Sequence, residues 1–418
     1  MSRSRIVLLV LAAVALLWLA WGTFSRQEMI PAPSAPPAGD AQAWVDVQQT
    51  MDVAGPVRLE FYGFVGSLSI KPGAPGKLEI DAMKTAYGQD EDSAAKNARD
   101  LPVTIRKEEG RVVFDARPAL GWPGRVDYRI TAPEQSGLSM ANGQGQIDVS
   151  GLHLGVDVSG DGLPVRLGDV RGDVSVVVKS GNVSVDGADG AVRLSTGQGD
   201  IQVAHVSGPS LDIAGSNGIS ISESTVAGQL TLTTTGNSVS LVRTRAVQMA
   251  LNVPTGSVSL TDVTADRALR VQGGSGGVSV ERSQAQLLAV ASKGAGVDLS
   301  DVQGSLDLAT AGGPLTLFNV TPTSLAIASG GGNVVLTGSL PGKGATTIDT
   351  GGGELQITIA KETAFALDAD AGGGELSVAQ ALLGGRSLSG SAAKVRINGG
   401  GPQVQLRTHG GTLQINTN

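Results

Sequence analysis

The chain has 418 residues, a net charge of −7, 60 glycines and no cysteine. The lack of cysteine excludes disulfides, thiolate metal sites and an acylated-cysteine anchor. Interspersed charges with no basic stripe exclude nucleic acid as a partner.

The first 25 residues read as a membrane anchor or signal segment. Ser2-Arg3-Ser4-Arg5 precedes an apolar run from Ile6 to about Phe24. Roughly 19 residues at 1.5 Å rise nearly match the 30 Å hydrocarbon core. Arg3 and Arg5 place the N-terminus inside, with Trp18 and Trp21 at the outer interface. The expectation is one transmembrane helix in the cytoplasmic membrane, with the bulk of the chain extracytoplasmic, periplasmic or at the cell surface. The alternative is secretion after signal cleavage at Ala20-Trp21-Gly22. Residues 26–43, with Pro31, Pro33, Pro36 and Pro37, form a Pro/Ala-rich linker that spaces the rest of the chain from the bilayer.

Residues 44–135 read as a β-rich cap domain with one short helix. Leu59 to Ile70 is strand, glycine turn, strand; Lys77 to Ala86, Val103 to Lys107, Val112 to Ala116 and Val126 to Thr131 are further strands. Asp90 to Leu101 is polar and alanine-bearing and is stopped by Pro102, which marks a helix. Trp44, Trp122, Tyr62, Tyr87 and Tyr128 all fall in this stretch.

From 136 to 418 one phrase repeats. Its first apolar residue falls at Ile147, Val165, Val183, Ile201, Ile219, Val239, Val258, Val278, Val297, Leu315, Val334, Leu355 and Leu376. A second apolar pair keeps step, from Val156/Val158 to Leu325/Ile327, and a corner residue such as Leu152, Val170, Val206, Val226 or Val263 adds one more apolar side chain. Residues i and i+2 of a strand share a face, and a lone coil cannot hide it. A stack of coils can. The reading is all-β: a parallel β-helix, or β-solenoid, of about 13–14 coils with a step of roughly 18–21 residues. Two residues before the first pair stand Gly145, Gly181, Gly199, Gly256, Gly276, Gly313, Gly332, Gly353 and Gly374, with Asn217 and Asn237 in the same place elsewhere. Glycine and asparagine tolerate positive φ, so a left-handed corner is expected in most coils. The rhythm slips from Ala379 to Ala393, which reads as a loop insertion, and resumes at Val395/Ile397, Val404/Leu406 and Leu413/Ile415.

Val126-Asp127-Tyr128-Arg129-Ile130-Thr131-Ala132-Pro133, followed by Gly145-Gln146-Ile147-Asp148-Val149, resembles a bacterial adhesin-type β-solenoid family of unknown function related to the head-GIN domain. Gly66-Ser67-Leu68-Ser69-Ile70 is similar to that family's first coil-like strand. The resemblance runs from about Val57 to Asn418. It implies a solenoid outside the cytoplasmic membrane, associated with envelope surfaces or envelope stress, and it carries no catalytic residues.

Several patterns in the chain bear on function. Asp161, Asp169, Asp173, Asp186, Asp189 and Asp200 are spaced so that they could meet on neighbouring coils, but read as turn residues and solubilising charge. His153 and His205 lie near three coils apart, roughly 14 Å along the stack, too far to share a metal, and His409 lies farther still. Gly273-Gly274-Ser275-Gly276-Gly277 lacks the aspartate of a calcium-binding repeat. The glycine runs Gly351–Gly353 and Gly372–Gly374 precede strands, which does not support phosphate binding. Thr231, Thr233 and Thr235 make an outward row on one coil only. Lys293, Lys343, Arg386, Lys394 and Arg396 read as solvated surface. Beyond Asn142 the only aromatic residues are Phe318 and Phe365, where sugar-cleaving β-helices need clustered carboxylates and ring platforms. No catalytic, cofactor-binding or metal-binding residue is assigned, and no cofactor is implied. The expected role is a non-enzymatic, membrane-anchored envelope binding or scaffold protein with a glycan or protein ligand. The alternative is a carbohydrate-active β-helix enzyme, a polysaccharide lyase or hydrolase.

Overall fold

The computed structural model describes residues 41–115, 124–388 and 390–418. The membrane segment and most of the linker expected from the sequence lie outside the described residues. Among the described residues, no helix is long and apolar enough to cross a membrane. The early elements are β1 (Ala41–Asp52), β2 (Val57–Tyr62), β3 (Val65–Gly73), β4 (Lys77–Gly88), α1 (Glu91–Asp100), β5 (Thr104–Glu108), β6 (Arg111–Asp115), β7 (Gly124–Pro133) and β8 (Ser136–Ser150).

Of the described residues, 41–44, 85–101 and 124 form a small unit, and the remainder form a large one. The small unit holds α1. Its N-terminus is closed by a capping box: the Asp90 carboxylate accepts from the Ser93 amide at 2.7 Å, and the Asp90 amide donates to Ser93 Oγ at 3.1 Å. This satisfies two amides that the first turn would leave open. Asn97 Nδ2 donates to the Tyr87 carbonyl at 2.8 Å, and the helix stops at Leu101 before Pro102.

The large unit is built from two parallel ladders. In the first, Ile147 pairs with Val165, and the register runs through Val183, Ile201, Ile219, Val239, Val258, Val278, Val297, Leu315 and Val334 to Leu355. In the second, Val156 continues through Val174, Val192, Leu211, Leu230, Met249, Leu269, Leu288 and Leu306 to Leu325. These residues are buried, so each turn covers the apolar pairs of the next. About 12 turns follow one another in chain order, fewer than the about 13–14 expected from the repeat.

The shortfall lies at the C-terminal end, where chain order and stacking order part. Leu376 does not stack on Leu355. Leu413 stands between them, paired with each. Likewise Val404 lies between Thr346 and Leu367. The last coil in sequence is therefore an inner rung. Outside it, Phe365–Asp370 is covered by Ala392–Ile397 running antiparallel, so Val395/Ile397 belong to a return strand rather than a coil. Gln380–Leu383, inside the stretch read as a loop insertion, is a short 3₁₀ helix that buries Leu382 and Leu383.

The N-terminal end uses the same device. β3 lies between β7 and β8, with Leu68 facing both Tyr128 and Ile147. β2 lies between β6 and β8, and β5 runs antiparallel along β6. Inside these rungs, Phe61 stacks on Phe114 at 4.3 Å between ring centroids, and Tyr128 meets both edge-on. Offset and edge-on geometry suits the ring quadrupoles. Burial raises the Tyr128 phenol well above its ordinary pKa.

The corner glycines have a different cause from the expected one. Of the nine glycines preceding the first pair, only Gly145, Gly181 and Gly199 have positive φ in the left-handed range, and Asn217 and Asn237 do not. At Gly256, a Cβ would overlap the carbonyl oxygen of Asn237; at Gly353 it would overlap that of Gly332. Close approach of one turn's backbone to the next selects glycine here.

Candidate functional site

Alternation along the first ladder turns every second side chain outward. The central outward position reads Arg166, Ser184, Gln202, Ser220, Ser240, Ser259, Ser279 and Asp298, each directly beside the next. From Ser184 to Ser279 this is an unbroken lane of short, uncharged hydrogen-bonding groups on adjacent strands. Beside it runs a shallow groove lined by Asp200, Gln202, Ser220, Asn237, Ser240 and Ser257. Gly218 and Gly256 also line it.

The groove wall is stitched from turn to turn. Asn182 Oδ1 accepts from the Asp200 amide at 2.9 Å, and Asp200 Oδ1 accepts from the Gly218 amide at 3.1 Å. Asp173 and Asp189 do the same elsewhere, accepting from the Ala191 and Gly172 amides at 3.0 Å. Asp161 meets Ser180 and Lys179. The structure thus spends these carboxylates on neighbouring turns one at a time and does not bring the six aspartates together.

The left-handed residues stand at the opposite end of the same strands. Asp169, His205, Glu223, Arg243, Asp262, Arg282, Asp301 and Asn319 all have φ between 46° and 56°. Asparagine and aspartate tolerate this conformation, while histidine, glutamate and arginine enter it at a cost. Hydrogen bonds to the next turn offset that cost: the amides of Glu223, Arg243, Asp262 and Arg282 donate to the carbonyls of Val242, Thr261, Glu281 and Ser300 at 2.9–3.0 Å. From Glu223 to Asp301 the side chains alternate in sign. His205 Nδ1 lies 2.6 Å from Asp186 Oδ1, and Nε2 lies 2.9 Å from Glu223 Oε2. Glu223 also pairs with Arg243, Arg282 Nε donates to Asp262 at 2.9 Å, and Asn319 donates to Asp301.

Hydrogen bonds to Asp186 first, then Glu223, raise the His205 pKa. Hydrogen bonds from Arg243 first, then His205, lower that of Glu223. All these groups are exposed, so screening by solvent keeps each pair modest in energy. This column was not singled out in the sequence. Its signal is a polar or charged residue that recurs with the repeat just after the first apolar pair, as at Asp169, His205, Glu223, Arg243, Asp262, Arg282 and Asp301.

A second column that sequence reasoning missed is buried. Thr310, Ser329, Thr350 and Thr408 each donate a hydroxyl hydrogen to the carbonyl three residues on, those of Gly313, Gly332, Gly353 and Gly411. The run Gly351–Gly353 is thus a tight turn closed by a hydroxyl, whereas Gly372–Gly374 follows Ala371 and is closed by the Gly374 amide donating to the Ala371 carbonyl at 3.1 Å. Buried carbonyls need such partners.

The remaining residues flagged from the sequence stay apart. His153 approaches Glu134 at 3.8 Å, and His409 approaches Asp349 at 3.2 Å. Among the described residues, no group of three or more histidine, aspartate or glutamate side chains could hold a metal ion. Thr231 is flanked by Asp212 and Ala250, and Thr233 by Ala214 and Asn252, so the threonines do not repeat from turn to turn. Lys394 pairs with Asp368 at 3.2 Å. Ser275 Oγ donates weakly to the Thr255 carbonyl at 3.4 Å.

Comparison with curated proteins and with solved structures finds no match. One family model, described as Toastrack DUF4097, matches twice in overlapping stretches, residues 66–253 and 219–416, and so spans both ladders. The resemblance read from the Tyr128–Pro133 strand and the coils after it holds: the chain belongs to the Toastrack DUF4097 family, whose function is unknown.

Proposed function

We propose that the chain is a non-enzymatic, membrane-anchored, extracytoplasmic scaffold that binds an envelope glycan or protein along the first ladder. The observation that carries this reading is the run from Ser184 through Gln202, Ser220, Ser240 and Ser259 to Ser279. Adjacent parallel strands lie about 4.8 Å apart. A polymer laid across them would meet a hydroxyl or amide at each step, which favours many weak hydrogen bonds over one deep pocket. The aspartate nearest the lane, Asp200, holds the Gly218 amide of the neighbouring turn with its carboxylate, and Asn182 holds the Asp200 amide in the same way, which leaves little for acid–base work and supports binding without chemistry.

The test is co-sedimentation of the full chain with isolated envelope material, with release of new sugar ends assayed in the same tube. The paired substitution Ser220→Lys and Ser240→Lys, placed on the lane, abolishes co-sedimentation and leaves the unfolding curve unchanged. Sustained release of sugar ends that survives purification replaces this reading with the polysaccharide-cleaving one. Unchanged co-sedimentation of the double variant removes the lane from the function.

A further inference from the structure

At the N-terminal end of the second ladder, the outward face of β2, β6 and β5 differs from the rest of the solenoid. Leu59, Phe61, Val112 and Phe114 point inward and are buried. By alternation Glu60, Tyr62, Arg111, Val113 and Asp115 point outward. The register sets Tyr62 beside Asp115, and Glu60 beside Val113, which faces Arg106 on its other side. Tyr62, Arg106, Glu108, Arg111, Val113 and Asp115 line one shallow concavity.

Two observations show that the concavity is built rather than incidental. Val113 is an outward-facing residue, yet only 4% of it is exposed, so neighbouring side chains lie over it and pack the base of the concavity. Tyr62 is 41% exposed, and its hydroxyl donates to Glu60 Oε2 at 3.1 Å. Residues i and i+2 share a strand face, so this bond ties the exposed ring to its own strand. Glu60 is fixed in turn by Arg111 at 3.2 Å, and Arg111 Nε donates to Glu108 at 2.7 Å. The ring is thus a platform held by a chain of charged hydrogen bonds. Its neighbours offer both donors, Arg106 and Arg111, and acceptors, Glu108 and Asp115.

A flat aromatic face beside a mixed donor–acceptor rim suits a sugar ring whose hydroxyls are equatorial. Its axial C–H groups form an apolar face for the aromatic ring, and its hydroxyls reach sideways to the rim. The lining sets two carboxylates, Glu108 and Asp115, against two guanidinium groups, Arg106 and Arg111, a balance that favours a neutral sugar over a strongly charged one. We propose that this concavity binds one ring of a neutral, gluco-configured pyranose chain, with Tyr62 as the stacking platform. The proposal rests on the envelope-binding reading for the source of its ligand and on Tyr62 for the site.

The test uses calorimetric titration of the full chain with two probes, the β-1,4-linked hexamers of N-acetylglucosamine and of glucose. At least one binds the unaltered chain. Tyr62→Ala weakens that binding by about tenfold or more, the scale of a lost stacked ring. Tyr62→Phe keeps the ring but frees it from Glu60, and weakens binding less. Arg106→Ala, which leaves the platform in place, also weakens it. The lane variant with Ser220→Lys and Ser240→Lys binds the hexamer as the unaltered chain does. Failure of both hexamers to bind the unaltered chain overturns the proposal, as does unchanged affinity in both the Tyr62→Ala and Arg106→Ala variants. Loss of envelope co-sedimentation in the lane variant alone, with hexamer binding retained, separates the two readings.

Discussion

His205 and Glu223 occupy the same corner on successive turns, both with left-handed backbone, with imidazole Nε2 2.9 Å from the carboxylate. On its other side the imidazole meets Asp186 at 2.6 Å, and Glu223 also holds Arg243. A protonated imidazole is favoured between two carboxylates, so the folded pKa of His205 lies above its ordinary 6.5. Its contribution to stability is complete below 6.5 and is lost as pH rises through the folded value. The folded pKa of Glu223 lies below its ordinary 4.5, so its contribution is present above 4.5 and lost on acidification through the folded value.

The first prediction is a pH window. The difference in melting temperature between the unaltered chain and His205→Asn, which tolerates the left-handed backbone, is largest between about pH 4.5 and 6.5. It shrinks on both sides. Melting curves in dilute buffer from about pH 3 to about pH 9, a range that brackets both groups, give the profile. A flat difference would show that the two pairs do not couple to folding.

The second concerns close approach. Gly256→Ala would set a Cβ on the Asn237 carbonyl, a backbone atom that cannot step aside cheaply. It should cost at least about 3 kcal/mol. Gly342, around which nothing lies within 4 Å of an added Cβ, is the control: Gly342→Ala should stay within about 0.5 kcal/mol. Denaturant unfolding of both measures the contrast, and equal effects would refute the close-approach account.

The third tests the buried hydroxyls. Thr350 Oγ1 donates to the Gly353 carbonyl at 2.6 Å, and the side chain is fully buried. Thr350→Val keeps the shape and strands that carbonyl, at a cost of about 1–3 kcal/mol. Thr347, an outward residue on the neighbouring strand, should accept the same change with little effect. The two unfolding midpoints decide it.

The fourth comes from stacking order. Deleting residues 402–418 from a serial stack would peel away the last turn only. Here it removes the rung between Leu355 and Leu376. Amide hydrogen exchange should accelerate in both Leu355–Ile359 and Phe365–Asp370 in the truncated chain. Protection that persists in Phe365–Asp370 would mean that it re-stacks directly on the earlier turn.

The apolar columns were legible because alternation leaves little choice: Ile201 and Val203 must share a face, and so must Leu211 and Ile213. The end order was not. Thr350-Gly-Gly-Gly353, Ala371-Gly-Gly-Gly374 and Thr408-His-Gly-Gly411 are nearly interchangeable turns, so local pattern does not say which lies next to which. The corner glycines misled because positive φ and close approach both select the residue without a Cβ. Glu223, Arg243 and Asp262 do not stand out in the sequence because roughly 20 residues separate each from the next. Tyr62 was noted only as an aromatic of the N-terminal stretch. The platform role proposed for it depends on Glu60 two residues before it and Val113 on the adjacent strand, and only the second of these is long-range.

Closure at both ends bears on how such a chain can change length over evolution. The first and last rungs are threaded between partners that are not their neighbours in sequence, and each end is sealed on one ladder by an antiparallel strand. On the second ladder, a duplicated turn appended at either end would meet an antiparallel strand instead of a parallel rung. One inserted between Ile147 and Leu355 would find matching hydrogen-bonding rows above and below it. Length variation among relatives should therefore accumulate in the middle of the stack, with the two closing arrangements inherited intact.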